Sequence, residues 1–362
     1  MITMRVSFHQ KKEEISVIVG ILMPMKDPFS IMRTGFGFWE SKVLLTAVEF
    51  GLFTELGDKS MTAGKIGEKL SLHPRGVRDF LDALLSMGFL GREGDGPGAL
   101  YSNTEATRAY LDRESPSYLG GILEMLNKRL YKYWDDLGDA LKTGMAQNEI
   151  KHSRKSLFEE LYSDIPRLEQ FMGAMAGISR HNFVALAQKF DFSRYRTLCD
   201  VGGAAGVLSI AVSEKHRNLK CTSFDLREVE PIAKRSIERA GLSDRISTAS
   251  EDFFRDPLPK AEVITMGMIL HDWSLDKKKA LIRAAYDALP EKGAFIVIEQ
   301  LIDDERRENT FGLLMSLNML IETGEGFDYT GADFAEWCAE AGFRKFEVIH
   351  LIGPSSAAIA YK

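Results

Sequence analysis

Apolar residues recur along this chain in two rhythms, and the rhythm changes near Thr197. Before that point the spacing is helical. Within residues 36–56, Leu44, Leu45, Val48, Leu52 and Phe53 fall on one face of a 3.6-residue period and predict a helix. Thr62 has the chemistry of an N-cap for a helix over Ala63–Leu70. His73-Pro74 opens the next helix, which carries Val77, Phe80, Leu81, Leu84 and Leu85 and stops at Gly88. Phe89–Arg92 and Ala99–Ser102 read as two short strands around the turn Gly94–Gly98. Helices followed by such a hairpin make a winged helix. Residues 117–190 read as mostly helical, most clearly over Phe158–Tyr162 and Leu168–Leu186.

From Thr197 onward, strands and helices alternate. Strands are predicted at Thr197–Val201, Lys220–Phe224, Arg245–Ser250, Val263–Met268 and Ala294–Gln300, with helices at Leu208–Glu214, Glu230–Ala240, Asp276–Ala288 and Phe334–Ala341. Phe346–Ile352 and Ala357–Tyr361 could close the sheet. Repeated βα units of this kind predict a doubly wound α/β domain, which binds ligands outside the carboxyl ends of its strands. The expected organisation is an N-terminal extension (1–28), a winged-helix module (29–115), a helical region (116–190) and the α/β domain (191–362).

Composition narrows the partners. A net charge of -6 argues against nucleic acid or an anionic membrane, because phosphate binding needs a concentrated positive field. The helix 74–87 carries Arg75 and Arg78 but also Asp79 and Asp82, with large apolar residues between them. That face suits packing or dimerisation better than base readout. The apolar run Ile15–Met23 is far short of the roughly 20 residues a membrane span needs, and no signal-peptide cleavage pattern follows it. Cys199, Cys221 and Cys338 are spread out, with no CxxC pair and no histidine at ligand spacing. Neither a disulfide framework nor structural zinc is expected, and a reducing, cytoplasmic setting fits.

The candidate chemistry lies at the predicted strand ends. In Asp200-Val-Gly-Gly-Ala-Ala-Gly206, Gly202, Gly203 and Gly206 let the chain turn tightly and approach a ligand between a strand and a helix. Asp225 ends the next strand, where a carboxylate can accept ribose hydroxyls. Asp252 could accept from an adenine amino group and Phe253 could cover the ring. The glycine spacing is not G-x-G-x-x-G, and a long helical region precedes the nucleotide fold; both count against a nicotinamide dehydrogenase. Tyr131, Tyr133, Trp134, Phe158, Tyr162, Phe171, Met172 and Met175 concentrate in the helical region, as core or as the wall of an apolar substrate pocket.

With DVGGAAG (200–206), SFDL (223–226), EDFF (251–254), ILHDW (269–273) and MLIETGEGFDYTGADF (319–334), the chain resembles the S-adenosyl-methionine-dependent small-molecule O-methyltransferases. These are the caffeate, flavonoid, hydroxyindole and antibiotic-tailoring enzymes of plants and bacteria. The resemblance runs from about residue 35 to the C-terminus. It implies a Rossmann-like methyltransferase domain with a mostly parallel sheet, an N-terminal winged-helix dimerisation domain, a homodimer and no metal. It also implies that Gly202, Gly203 and Gly206 hold the methionine part of the cofactor, Asp225 the ribose with Leu226 packing nearby, and Asp252 with Phe253 the adenine. Ser179 would lie by the cofactor carboxylate. His271 matches the catalytic base, and Glu299 an acid flanking it. Asp328 stands at the second flanking acid, one methylene shorter than the family's glutamate. Ala204 replaces the usual middle glycine, and Gly267 stands where plant relatives often carry lysine.

These residues suit O-methylation of an aromatic or polyketide-like acceptor. A phenol keeps its proton at neutral pH, with a pKa near ~10, so a histidine base is useful. Glu299 or Asp328 could hold the other imidazole N–H. Asp272 and Trp273 read as turn and packing residues. Met268, Asn318 and Met319, with Trp134 and Met175, are candidates to line the acceptor pocket. N- or C-methylation without a base, and a cofactor-binding winged-helix regulator, are the competing readings.

Overall fold

The computed structural model describes residues 27–151, 161–162 and 164–362. Most of the N-terminal extension, and Phe158 with most of its predicted helix, fall outside those residues.

The first helix among the described residues, α1 (Pro28–Glu49), begins earlier than the periodicity predicts. Asp27 caps it by accepting from the Ser30 N–H, and Pro28 supplies the preset φ of a first turn. The predicted helix over 36–56 is two helices, because Gly51 adopts a left-handed conformation between α1 and α2 (Leu52–Leu56). Only the C-terminal part of α1, with Leu45, Ala47 and Val48, is buried. Its N-terminal part leaves Phe29, Ile31, Met32, Phe36, Phe38 and Trp39 exposed.

The winged module follows. Strand β1 (Met61–Thr62) runs into α3 (Ala63–Lys69), capped by Thr62 as the sequence suggested. Helix α4 (Pro74–Ser86) precedes the hairpin β2 (Leu90–Glu93) and β3 (Leu100–Asn103). The two-residue β1, too short to show in the sequence pattern, pairs with β3 and makes a three-stranded sheet. Arg75 and Arg78 are each matched four residues on, by Asp79 and Asp82. Short helical pieces then lead to α5 (Ile165–Lys189), whose N-cap is Asp164.

The α/β domain has seven strands: β4 (Thr197–Val201), β5 (Lys220–Asp225), β6 (Ile246–Ser250), β7 (Val263–Gly267), β8 (Ala294–Glu299), β9 (Lys345–His350) and β10 (Ser356–Tyr361). Their order is β6-β5-β4-β7-β8-β10-β9. The first five are parallel, and β10 runs antiparallel to both neighbours. Central strands are mostly apolar, as a sheet covered on both faces requires, and every residue of β8 is buried. One layer of core packs α5 and the helix Val207–Lys215 against the sheet, through Phe183, Leu186, Leu208 and Val212. The opposite layer uses Leu281, Ile282, Phe334 and Trp337.

Strand order reverses at β4, so β5 and β7 flank it and a crevice opens at their carboxyl ends. The register aligns Val201 with Phe224 on one side and Met266 on the other, and Gly267 with Ile298. Gly202, Asp225, Met268 and Glu299 therefore arrive at one edge. The helix Thr310–Glu322 beside this edge has no counterpart in the sequence reading. Its side chains are apolar on nearly every face, so it gives almost no amphipathic signal.

Candidate active site

The turn after β4 is shaped by what glycine lacks. Gly202 has φ of +69°, and a Cβ there would stand 2.2 Å from Ile269 Cδ1. A Cβ on Gly203 would stand 2.4 Å from Ser223 Oγ and 3.1 Å from the Asp200 carbonyl oxygen. Ala204 also has positive φ, at 48°, although it carries a Cβ. That conformation costs roughly 1–2 kcal/mol for an L-residue. It points the Ala204 N–H at Asp225 Oδ2, at 2.8 Å. Asp225 Oδ1 accepts from the Leu226 N–H at 2.7 Å. Burial pushes the Asp225 carboxyl up to about 6, against the pull of these two hydrogen bonds. A buried carboxylate beside a backbone cradle that any side chain would fill fits the ribose and methionine ends of a nucleoside cofactor.

Asp252 and Phe253 lie beyond β6. Asp252 Oδ1 accepts from the Phe254 N–H at 2.9 Å, which fixes the turn. Phe253 is half-buried and stacks edge-on with Phe254 and Trp273. Ser179 is buried on α5. Tyr162, which the sequence offered as core or pocket wall and not as a cofactor residue, packs in one small cluster with Ala204, Val229 and Met172. Burial, with Asp225 and Asp272 nearby, pushes its hydroxyl well above the ordinary tyrosine range. Only the local crowding of aromatic residues marked it in the sequence.

One strand away, β7 ends in a turn that passes through Met268, at φ of 56°. The next residues, Leu270–Asp272, form a single 3-10 turn that carries His271 inward, 4% exposed. Glu299 Oε1, at the end of β8, accepts the Leu270 N–H at 3.0 Å and the His271 N–H at 3.4 Å. His271 Nδ1 lies 3.4 Å from Asp328 Oδ1 and 3.9 Å from Glu299 Oε2. Asp328 is the nearer of the two, although its side chain is the shorter. Its loop is drawn in, with the Asp328 N–H donating to Ser316 Oγ at 3.1 Å. Asp272 is more than a turn residue, since its Oδ1 lies 3.6 Å from His271 Nε2.

The electrostatics follow from this crowding. Burial alone would lower the His271 pKa, but Glu299, Asp272 and Asp328 outweigh it and raise it to about 10. Burial raises Glu299 to about 7 and Asp272 to about 6, each held back by His271. His271 Nδ1, Glu299 Oε2 and both Asp328 oxygens are buried without an aligned hydrogen bond. One ligand atom from each of His271, Glu299 and Asp328 lies within 4.8 Å of the others, a spacing that could also suit a cation.

Around this cluster, Trp134 Nε1 donates to Asn318 Oδ1 at 3.0 Å. The helix Thr310–Glu322, which carries Asn318 and the buried Met319, touches both the turn of His271 and the turn Trp134–Asp136. Gln300 Nε2 lies 3.8 Å from Met268 Sδ. Met175 is half-buried on α5, and no specific contact joins it to these residues.

The family model for the O-methyltransferase domain matches residues 134–344, and that for the O-methyltransferase dimerisation domain matches residues 32–113. The chain belongs to the O-methyltransferase family. It is 37% identical over 338 residues to the tetracenomycin polyketide synthesis 8-O-methyl transferase of Streptomyces glaucescens, covering 93% of this chain and 98% of that one. An N,N-dimethyltransferase of Streptomyces rimosus is 31% identical, covering 89% and 92%. The crystal structure of human N-acetylserotonin methyltransferase with S-adenosyl-methionine superimposes with a TM-score of 0.85 at 30% identity, covering 94% and 99%. This O-methyltransferase is S-adenosyl-methionine-dependent and acts on small molecules. Among its described residues, no helix is long and apolar enough to cross a membrane.

Proposed function

We propose that this O-methyltransferase methylates a hydroxyl of an aromatic or polyketide-like small molecule, with His271 as general base. The observation that carries the reading is a buried imidazole, flanked by Asp328, Glu299 and Asp272, at the strand edge adjoining the glycine cradle. When bound, S-adenosyl-methionine supplies an electrophilic methyl group. Gly202, Gly203 and Gly206 hold its methionine end with Ser179, Asp225 and Leu226 its ribose, and Asp252 with Phe253 its adenine. Tyr162 covers the cradle.

His271 takes the acceptor's proton through Nε2, while Asp328 and Glu299 face Nδ1 and stabilise the imidazolium. The surrounding acids raise the proton affinity of the imidazole toward that of a phenol, and His271 acts as base only in its neutral form. Trp134, Met175, Met268, Asn318 and Met319 line the acceptor side. Trp134 fixes the Asn318 amide oxygen, and the Asn318 N–H₂ lies 4.0 Å from Met315 Sδ.

The likeness to an N,N-dimethyltransferase favours a second reading, methylation of an amine. A screen of labelled methyl transfer to phenols, hydroxyquinones and amines separates the two. Phenols or hydroxyquinones should be the best acceptors, and a strict preference for amines would overturn the reading. Chelation by EDTA should leave the rate unchanged. Loss restored by a divalent cation would give the His271 trio to a metal instead.

The exposed apolar face of α1, within the dimerisation domain, supports a homodimer through residues 1–110. The paired arginines of α4 support no nucleic-acid partner, and the absence of disulfide-bonded cysteines suits a cytoplasmic setting.

A further inference from the structure

Lys278 is the only lysine or arginine buried among the described residues, and its exposure is 0%. It sits in the first turn of the helix Leu275–Ala288. Burying an ammonium is costly unless it is compensated. Its Nζ donates to the Trp273 carbonyl and lies 3.7 Å from the centroid of the Phe327 ring. Trp273 follows Asp272 in the chain, and Phe327 precedes Asp328. One ammonium thus grips the neighbours of two of the three acids around His271, without pairing directly with any of them. Burial lowers its pKa to about 8, opposed by Glu299, Asp328 and Asp272. The donated hydrogen bond and the ring contact both suit its ammonium form.

We propose that Lys278 is a positioning residue for methyl transfer: its buried positive charge offsets the acid cluster and keeps a usable share of His271 neutral. The proposal rests on His271 being the base. Asp272, Glu299 and Asp328 face the imidazole from three separate segments, and together they favour the imidazolium, which cannot accept a proton. The groups facing the ammonium are those three acids, Glu325 and the ring of Tyr329. Glu325 is itself matched by Lys277 at 2.6 Å. Removing the ammonium would leave the three acids opposed by His271 alone. The imidazole would then hold its proton to higher pH.

The test is the pH profile of kcat/KM on a phenolic acceptor, with S-adenosyl-methionine saturating. In wild type the rate should rise with pH along a limb set by His271. Lys278→Met, which keeps the stem and loses the charge, should move that limb upward by about one pH unit, roughly a ten-fold loss at fixed pH below it. Lys278→Arg should keep the limb in place even where its rate is lower. Asp272→Asn should move the limb downward, and the double variant Lys278→Met/Asp272→Asn should return it to the wild-type position. The double variant removes one charge of each sign, so it carries the test if Lys278→Met does not fold. A uniform loss across pH in Lys278→Met, or a double variant that titrates like Asp272→Asn alone, would overturn the role of Lys278. A wild-type profile with no limb would instead remove the base reading on which the proposal stands.

Discussion

The glycine cradle and the His271 cluster adjoin at one sheet edge, yet they are built differently. In the cradle the backbone does the shaping: Gly202 and Gly203 have no room for a Cβ, and both Asp225 oxygens already accept backbone N–H groups. In the cluster, side chains from three distant segments meet, and four of their polar atoms lack an aligned hydrogen bond. The shape and polar pairing of the cradle are thus already set by the backbone. The cluster holds unspent hydrogen-bonding capacity and closely spaced charges, which is what a group that must gain and lose a proton requires.

That contrast can be broken first at the cradle. Gly203→Val places new carbons against Ser223 Oγ and the Asp200 carbonyl, and overpacking of this kind costs about 1–3 kcal/mol. Calorimetry should find S-adenosyl-methionine affinity reduced by roughly 10- to 100-fold, with the fold retained by circular dichroism. Unchanged affinity would show that the turn does not contact the cofactor.

On the cluster side, the distances rank the acids. Asp328→Asn removes the carboxylate nearest Nδ1 and should lower the single-turnover rate by about 10-fold or more, the scale of a hydrogen bond to a charged group. Glu299→Gln should cost less, because an amide oxygen can still accept the Leu270 and His271 N–H groups. A larger loss at Glu299 would restore the order that side-chain length alone suggests.

The smallest effect sharpens the comparison through pH. Asp225 must be ionised to serve best as acceptor, and burial holds it at about 6. Cofactor affinity should therefore be full above that value and fall as pH drops through it, by at most about ten-fold at pH 5. Affinity that is flat from pH 5 to 7 would mean that binding does not depend on this ionisation.

The two regions also differ in how far the sequence discloses them. The cradle is contiguous, so DVGGAAG and the strand-end Asp225 could be read directly, and the strand boundaries fell within about a residue or two of their positions in the structure. His271 with Glu299 and Asp328 was legible from LHDW and the family resemblance, whereas Asp272 read as a turn residue. The ranking of Glu299 and Asp328 was not legible, because it depends on how Ser316 draws the Asp328 loop inward. The helix Thr310–Glu322 escaped because an all-apolar face has no period. Lys278 escaped because lysine three residues into an amphipathic helix ordinarily reads as solvated.

The central claim is that the cluster, unlike the cradle, serves the acceptor's proton. Its most direct test is single-turnover methyl transfer by His271→Ala across a pH series, on the best phenolic acceptor, with S-adenosyl-methionine saturating. The account predicts unchanged cofactor affinity and a rate about 10²–10⁴-fold lower at neutral pH, the contribution of a positioned base. The deficit should shrink as pH approaches the acceptor's own pKa, where the phenolate forms unaided. A variant as fast as wild type at neutral pH would contradict it.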